Sequence, residues 1–143
     1  ILPFLITERL EFFQLTQADL PELEILLGDT EIMYAWEHGF TKIESQAWLN
    51  ENLRRYSSDG YSYWAVRKKN DGSLIGVMGI LKEVAEGKQY IGIGYILNKK
   101  YWGQGYAGEG TEALCQYAFR KLQLQTLTAQ VRTNNFASQH IAE

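Results

Sequence analysis

Four glycines, Gly103, Gly105, Gly108 and Gly110, fall within eight residues between a strand-like run and a helix-like run, and no other feature restricts the fold of this chain as much. Upstream, Ile91, Ile93, Tyr95 and Leu97 alternate as in a strand. Asn98-Lys99-Lys100-Tyr101-Trp102 breaks the alternation. Downstream, Ala113, Leu114, Tyr117, Ala118 and Leu122 are spaced for one apolar side of a helix. A glycine-rich entry to a helix leaves backbone N–H groups uncovered. The first four of those groups have no partner within the helix, and the helix dipole is positive there. Such a turn suits a phosphate or pyrophosphate. It equally suits close packing of helix on strand, which needs small residues, and at this point both readings stand.

A chain of 143 residues has room for one domain with a real core. It opens at Ile1 without Met and closes at Glu143 inside a helical pattern, so the expectation is a single domain, 1–143, truncated at its C-terminus. The net charge of −3 argues against a nucleic-acid coat or an anionic-membrane binder. No apolar run approaches the roughly 20 residues of a membrane span, and no signal peptide is visible, so a cytoplasmic protein is expected. The single cysteine, Cys115, allows no internal disulfide and no cysteine-rich metal site, and no metal is expected. Basic residues run together at Arg54-Arg55, Arg67-Lys68-Lys69 and Lys99-Lys100. Such runs are ordinarily solvated faces, and some serve ligand phosphates.

Taken in order, residues 6–15 read as a first strand. Thr16 with Asp19 resembles a capping box, Pro21 falls in the first helical turn, and Gly28 ends that helix. A short helix is expected around 31–36, followed by a loop in which Glu37 and His38 stand between Trp36 and Phe40. A carboxylate, an imidazole and two aromatics there suit a substrate mouth, or simply a loop packed by its aromatics. Thr41-x-x-Glu44 opens a helix to about Ser57, with Ile43, Ala47, Leu49, Leu53 and Tyr56 as its buried side. Strands follow at 61–69 and 73–81, joined by Asn70-Asp71-Gly72. Gly76 and Gly79 mark a bulge or a close backbone neighbour. Residues 82–88 read as a polar loop. After the long helix comes a strand at 126–132, then a last helix. The expected class is α/β (α+β), a mixed, mostly antiparallel sheet flanked by helices in the order β-α-α-α-β-β-β-α-β-α. The strands on either side of the long helix should be parallel.

Gly103-x-Gly105-x-x-Gly108 also spells the dinucleotide fingerprint. That motif belongs after the first strand of a βαβ unit, with an acid about 20 residues on, and residues 127–131 supply none. Dinucleotide binding through these glycines stays a distant alternative.

The chain resembles the GCN5-related N-acetyltransferase (GNAT) family, and within it the branch of the ribosomal-protein N-terminal acetyltransferases. Trp102-Gly103-Gln104-Gly105-Tyr106-Ala107 lies where the family has its acetyl-CoA signature, with Trp102 replacing the usual Arg or Gln. Thr7-Glu8-Arg9-Leu10, Gly94-Tyr95-Ile96-Leu97 and Asn135-Phe136-Ala137-Ser138 match the branch in the same order. The resemblance implies a further C-terminal hairpin, absent here. Its absence would leave strand 126–132 as an open edge able to pair with another chain, a route to a homodimer.

The resemblance implies transfer of acetyl from acetyl-CoA to a primary amine, a small molecule or a protein N-terminus, by direct attack. Tyr95, Ile96 and Leu97 would pair with the pantetheine arm, and N–H of Ile96 or Leu97 would polarise the thioester. Residues 103–108 would take the pyrophosphate, and Asn135 would contact the arm. The family's usual Glu base corresponds to Gly92, which leaves Glu37, His38 and Glu83 as candidates. The usual Tyr acid corresponds to Ala142, which leaves Ser138, whose other role is to start a helix. These departures motivate a second reading, a catalytically inactive acyl-CoA-binding sensor or interaction module.

Overall fold

The computed structural model describes residues 2–36, 38–122 and 128–129. In chain order the elements are β1 (Leu5–Ile6), β2 (Leu10–Phe13), α1 (Leu20–Leu27), α2 (Lys42–Ser58), β3 (Tyr63–Lys68), β4 (Leu74–Ala85), β5 (Lys88–Leu97), α3 (Tyr106–Arg120) and β6 (Thr128–Ala129). Single 3-10 turns occupy Gln17–Asp19, Tyr34–Trp36 and Lys99–Tyr101. The strands lie side by side in sequence order. Pairing is antiparallel from β1 to β5, and β6 is parallel to β5 across the crossover through α3, as the sequence predicts. The mixed α/β class is the expected one.

Alternation along the strands sorts the core into two layers. Leu10, Phe12, Trp64, Val66, Met78 and Tyr95 face α3, where they meet Leu114 and Ala118. Ala65, Val77 and Ile96 face the other way, with Leu23, Leu27 and Leu49 of α1 and α2. Trp102 packs against both layers, so the turn after β5 sits at their seam.

The start signals hold. The Asp19 carboxylate accepts from Thr16 N–H at 2.8 Å, and Thr41 and Glu44 cap α2 reciprocally at 2.9 and 3.1 Å. Gly76 sits at a register shift opposite Val66 and Arg67. A Cβ there would overlap the Ile96 carbonyl oxygen.

Three expectations are corrected. The stretch 6–15 is a hairpin, not one strand: Leu5 pairs with Phe12 and Ile6 with Glu11. The Thr7 hydroxyl accepts from Leu10 N–H at 3.0 Å and closes the turn, and the alternating pattern runs through it unbroken. Residues 82–88 are not a loop, because β4 continues to Ala85 and β5 begins at Lys88. Glu86 and Gly87 at φ 52° and 77° form the two-residue reversal. The ribbon is polar because Lys82, Val84 and its tip are exposed. The buried side of α2 is Ser45, Leu49 and Asn52, whereas Ile43 is 83% exposed and Ala47 is exposed too. Asn52 is buried because its side-chain oxygen accepts from Tyr63 N–H at 3.0 Å and from the Ser62 hydroxyl, and its amide donates to Trp48 C=O at 2.8 Å. A polar residue there satisfies the backbone where β3 begins. The expected final helix, the rest of strand 126–132 and the expected end of the chain lie outside the described residues.

Candidate active site

The site grows from the C-terminal end of β5. Tyr95, Ile96 and Leu97 are buried and pair with Met78, Val77 and Gly76 of β4. Backbone groups alternate between the two edges of a strand. Asn98 N–H reaches Ile75 C=O across β4 at 2.8 Å, and the Ile96 carbonyl also faces that edge. The groups of Tyr95 and Leu97 therefore point to the opposite edge, where β6 pairs with β5 at Gly92 and Ile93 and, among the described residues, no further. On that side the Trp102 indole N–H donates to Leu97 C=O at 3.0 Å. Trp102 thus ties the glycine turn to the strand end.

Asn98 accepts from Lys100 N–H at 3.1 Å, and Gln104 donates back to Lys100 C=O at 3.0 Å. Gly103 and Gly105 have φ of 75° and 84°, a region that L side chains avoid. A Cβ at Gly103 would meet nothing within 4 Å, and one at Gly105 only the tip of Arg9, at 3.4 Å. These two glycines are therefore not packing residues; they set the backbone path and leave it bare. Gly110 is the packing glycine, since a Cβ there would overlap the Met78 sulfur. Tyr106 and Ala107 are buried, while residues 103–105 are exposed. The first helical bond runs from Glu109 N–H to Gly105 C=O, 3.1 Å, so the N–H groups of 106–108 precede the ladder.

Residues distant in sequence brace this turn. Both oxygens of Glu109 are engaged, Oε1 by Arg9 Nε at 2.6 Å and Oε2 by Thr7 Oγ1 at 2.5 Å and Arg9 N–H at 2.8 Å. Burial pushes the Glu109 carboxyl up, but these donors outweigh it and hold the group below the usual carboxylate range. A carboxylate so held stabilises the fold above its unfolded value of about 4.3 and loses that contribution as pH falls through its lower folded value. Glu109→Gln is expected to lower stability by about 1–2 kcal/mol at pH 7. Urea melts of the two proteins should converge as pH falls below about 4. A gap unchanged at acid pH would assign the effect to shape rather than charge.

On the other flank, Asp29 accepts from Glu31 and Ile32 N–H and from Lys99 Nζ at 3.1 Å, which pins the 29–40 segment to the turn. Lys100 and Lys68 lie 5.1 and 5.8 Å from the centre of the Tyr101 ring, and Tyr101 meets Tyr106 edge-on. One lysine from each of two basic runs therefore meets the Tyr101 ring. Arg67 instead binds Glu22 and Asp19.

The other sequence candidates are less gathered. His38 Nε2 is 2.9 Å from Glu44, and its side chain is 56% exposed, so the imidazole is tied to the start of α2. Glu83 lies on the β4–β5 ribbon opposite Tyr90. Glu37, Asn135 and Ser138 lie outside the described residues. An open cleft of about 490 Å³ between residues 4–8 and the outer side of α3 shares Glu109 with the turn but contains none of residues 102–108. Among the described residues there is no cluster fit for a metal ion, and no helix long and apolar enough to cross a membrane.

The glycine motif follows the fifth strand of a largely antiparallel sheet, not the first strand of a parallel one, so dinucleotide binding is not favoured. The family comparison agrees with this arrangement of a mixed sheet and a bare turn into a helix. Residues 9–143 match the family described as the acetyltransferase (GNAT) domain, and the chain belongs to that family. It is 29% identical over 140 residues to a Bacillus subtilis protein named YkkB, covering 97% of this chain and 81% of that one. It superposes on an acetyltransferase from Agrobacterium tumefaciens with a TM-score of 0.81 at 25% identity, covering 99% of this chain and 81% of the other. A ribosomal L7/L12 α-N-protein acetyltransferase, RimL, in complex with coenzyme A shares the fold at 18% identity, with a TM-score of 0.71 over 87% of this chain and 71% of that one.

Proposed function

We propose that this domain uses acetyl-CoA to acetylate a free α-amine. The observation that carries the reading is the bare, left-handed turn at Gly103 and Gly105, beside the edge of Tyr95–Leu97 that no described residue of β6 pairs with. The pyrophosphate would take N–H groups from residues 103–108. The arm would lie along β5, with the Tyr95 carbonyl as acceptor and the Leu97 N–H facing the thioester. The neutral amine nitrogen would attack the carbonyl carbon, Leu97 N–H would stabilise the oxyanion, and the C–S bond would then break, the departing thiolate taking up the proton that the nitrogen loses.

The acceptor class follows from the base problem. Gly92 occupies the place of the resembled family's carboxylate, and His38 is held by Glu44. An α-amine with pKa about 8 is roughly one-tenth neutral at pH 7, whereas a lysine amine with pKa about 10.4 is neutral in fewer than one molecule in a thousand. The α-amine therefore asks least of a base, which is why it is the acceptor proposed. The coenzyme A complex of RimL, an N-terminal acetyltransferase of the same fold, supports the same reading. Calorimetric titration with acetyl-CoA, followed by assay on a peptide with a free N-terminus and on its N-blocked, lysine-bearing counterpart, tests it. Saturable binding and acetylation of the first peptide only is the expected result. Binding without acetylation of any amine would leave a coenzyme-binding module, and no binding would overturn the reading.

A further inference from the structure

Resting on that reading, we propose that Arg9 is a positioning residue for the cofactor, one that aims the pyrophosphate-binding peptide from nearly a hundred residues away. Its guanidinium spans two groups that a shorter or rounder cation could not reach together: Nε lies 2.6 Å from Glu109 Oε1 and Nη1 lies 3.0 Å from Gln104 C=O. Its central carbon stands 4.2 Å over the Tyr106 ring, and its third nitrogen, Nη2, would be 3.4 Å from a Cβ at Gly105. One side chain therefore touches Gln104 and Tyr106, on either side of Gly105, and is itself fixed by Glu109.

The consequence is geometric. In a trans peptide the C=O and the following N–H point in opposite directions. When Arg9 holds the Gln104 carbonyl, it turns Gly105 N–H away from itself, toward the open side of the turn. That peptide plane turns about ψ of Gln104 and φ of Gly105, and Gly105, at φ 84°, has no Cβ to restrict the rotation, so the hold on the Gln104 carbonyl is what sets its direction. There is also an electrostatic consequence. Glu109 is an acid in the first turn of α3, where the helix end would draw an anionic ligand. Uncompensated, it would repel a pyrophosphate. Arg9 neutralises it at contact distance.

The test uses the whole chain and two ligands, coenzyme A and acetyl-pantetheine, which lacks the pyrophosphate. The wild-type titration with coenzyme A judges the proposed function by itself; failure there overturns that reading and this one with it. Given wild-type binding, Arg9→Ala is expected to weaken coenzyme A by about tenfold, the loss of one charge-assisted hydrogen bond, and to leave acetyl-pantetheine unchanged. Arg9→Lys keeps the charge but cannot bridge Glu109 and Gln104, and should show most of the same loss. Amide exchange at 103–108 in the ligand-free Arg9→Ala protein should quicken while the amides of β3 and β4 keep their protection, which excludes unfolding as the cause. Equal losses for both ligands, full recovery in Arg9→Lys, or unchanged exchange at the turn would each overturn the proposal.

Discussion

Gly105→Val lowers the affinity for coenzyme A by about a hundredfold and leaves the domain folded. Gly105 is exposed and caps α3 at φ 84°. Valine is stiff at χ1 and avoids this region, at about 1–2 kcal/mol or somewhat more for a β-branched residue. A domain with 5–15 kcal/mol of stability absorbs that. The turn is where the strain is relieved, because its neighbours on the exposed side are sparse: apart from the guanidinium tip of Arg9, nothing lies within 4 Å of the new Cβ. Rotating Gly105 out of the left-handed region turns both flanking peptides and removes one or two N–H groups from the ligand. Each such hydrogen bond to a charged group contributes about 1.5–3 kcal/mol, and 1.4 kcal/mol is a factor of ten. Calorimetry on the variant, with a thermal melt as control, reads both parts. Near wild-type affinity would show that the turn does not carry the cofactor.

The turn was legible because two hydrophobic periods, 2 and 3.6, meet across it, and residues of both kinds lie on the buried faces they predicted: Tyr95 and Leu97 on the strand, Leu114 and Ala118 on the helix. Of the two readings the sequence left open there, close packing holds at Gly110, which meets Met78, and not at Gly103, where a Cβ would meet nothing, or at Gly105, where it would meet only the tip of Arg9. Where periodicity misled, a polar group had outcompeted an apolar one for the interior. Asn52 is inside because the start of β3 needs a hydrogen-bonding partner, and the face of α2 turns so that Ile43 lies outside. The hairpin at Thr7 hid for another reason: Leu10 and Phe12 alternate as any strand would, and only the Thr7 hydroxyl marks the reversal. The braces of the site were invisible for a third. Arg9 with Glu109 and Asp29 with Lys99 are pairs far apart in the chain, and nothing in local pattern joins them. Thr7 and Arg9 stood in the opening motif, yet their partner Glu109 could be found only once the β1–β2 hairpin was seen to lie against α3.

The largest expected loss of stability belongs to a glycine far less conspicuous in sequence. Gly79→Ala adds a single methyl group in the middle of β4, opposite Tyr63. That methyl would overlap the Ser62 carbonyl oxygen and come 2.5 Å from Tyr63 Cα and 2.7 Å from the Ser62 carbonyl carbon. All three are backbone atoms, so no rotamer change relieves the clash. Nor can the backbone retreat easily, since Ser62 and Tyr63 are both held by Asn52 and Ser62 C=O accepts from Ile80 N–H at 3.3 Å. Overpacking of this kind costs about 3 kcal/mol. For a domain of this size that is a fall in melting temperature of roughly 10 °C. Gly103→Ala is the matched control: it meets no neighbour, and only its left-handed φ is unfavourable, at about 1 kcal/mol. A melt of the two variants beside the wild type should therefore rank Gly79→Ala well below Gly103→Ala, although the latter lies in the signature turn and the former in an ordinary strand. Equal melting temperatures would mean that β3 and β4 can part at Ser62, and that the Asn52 hydrogen bonds do not hold the start of β3 in place.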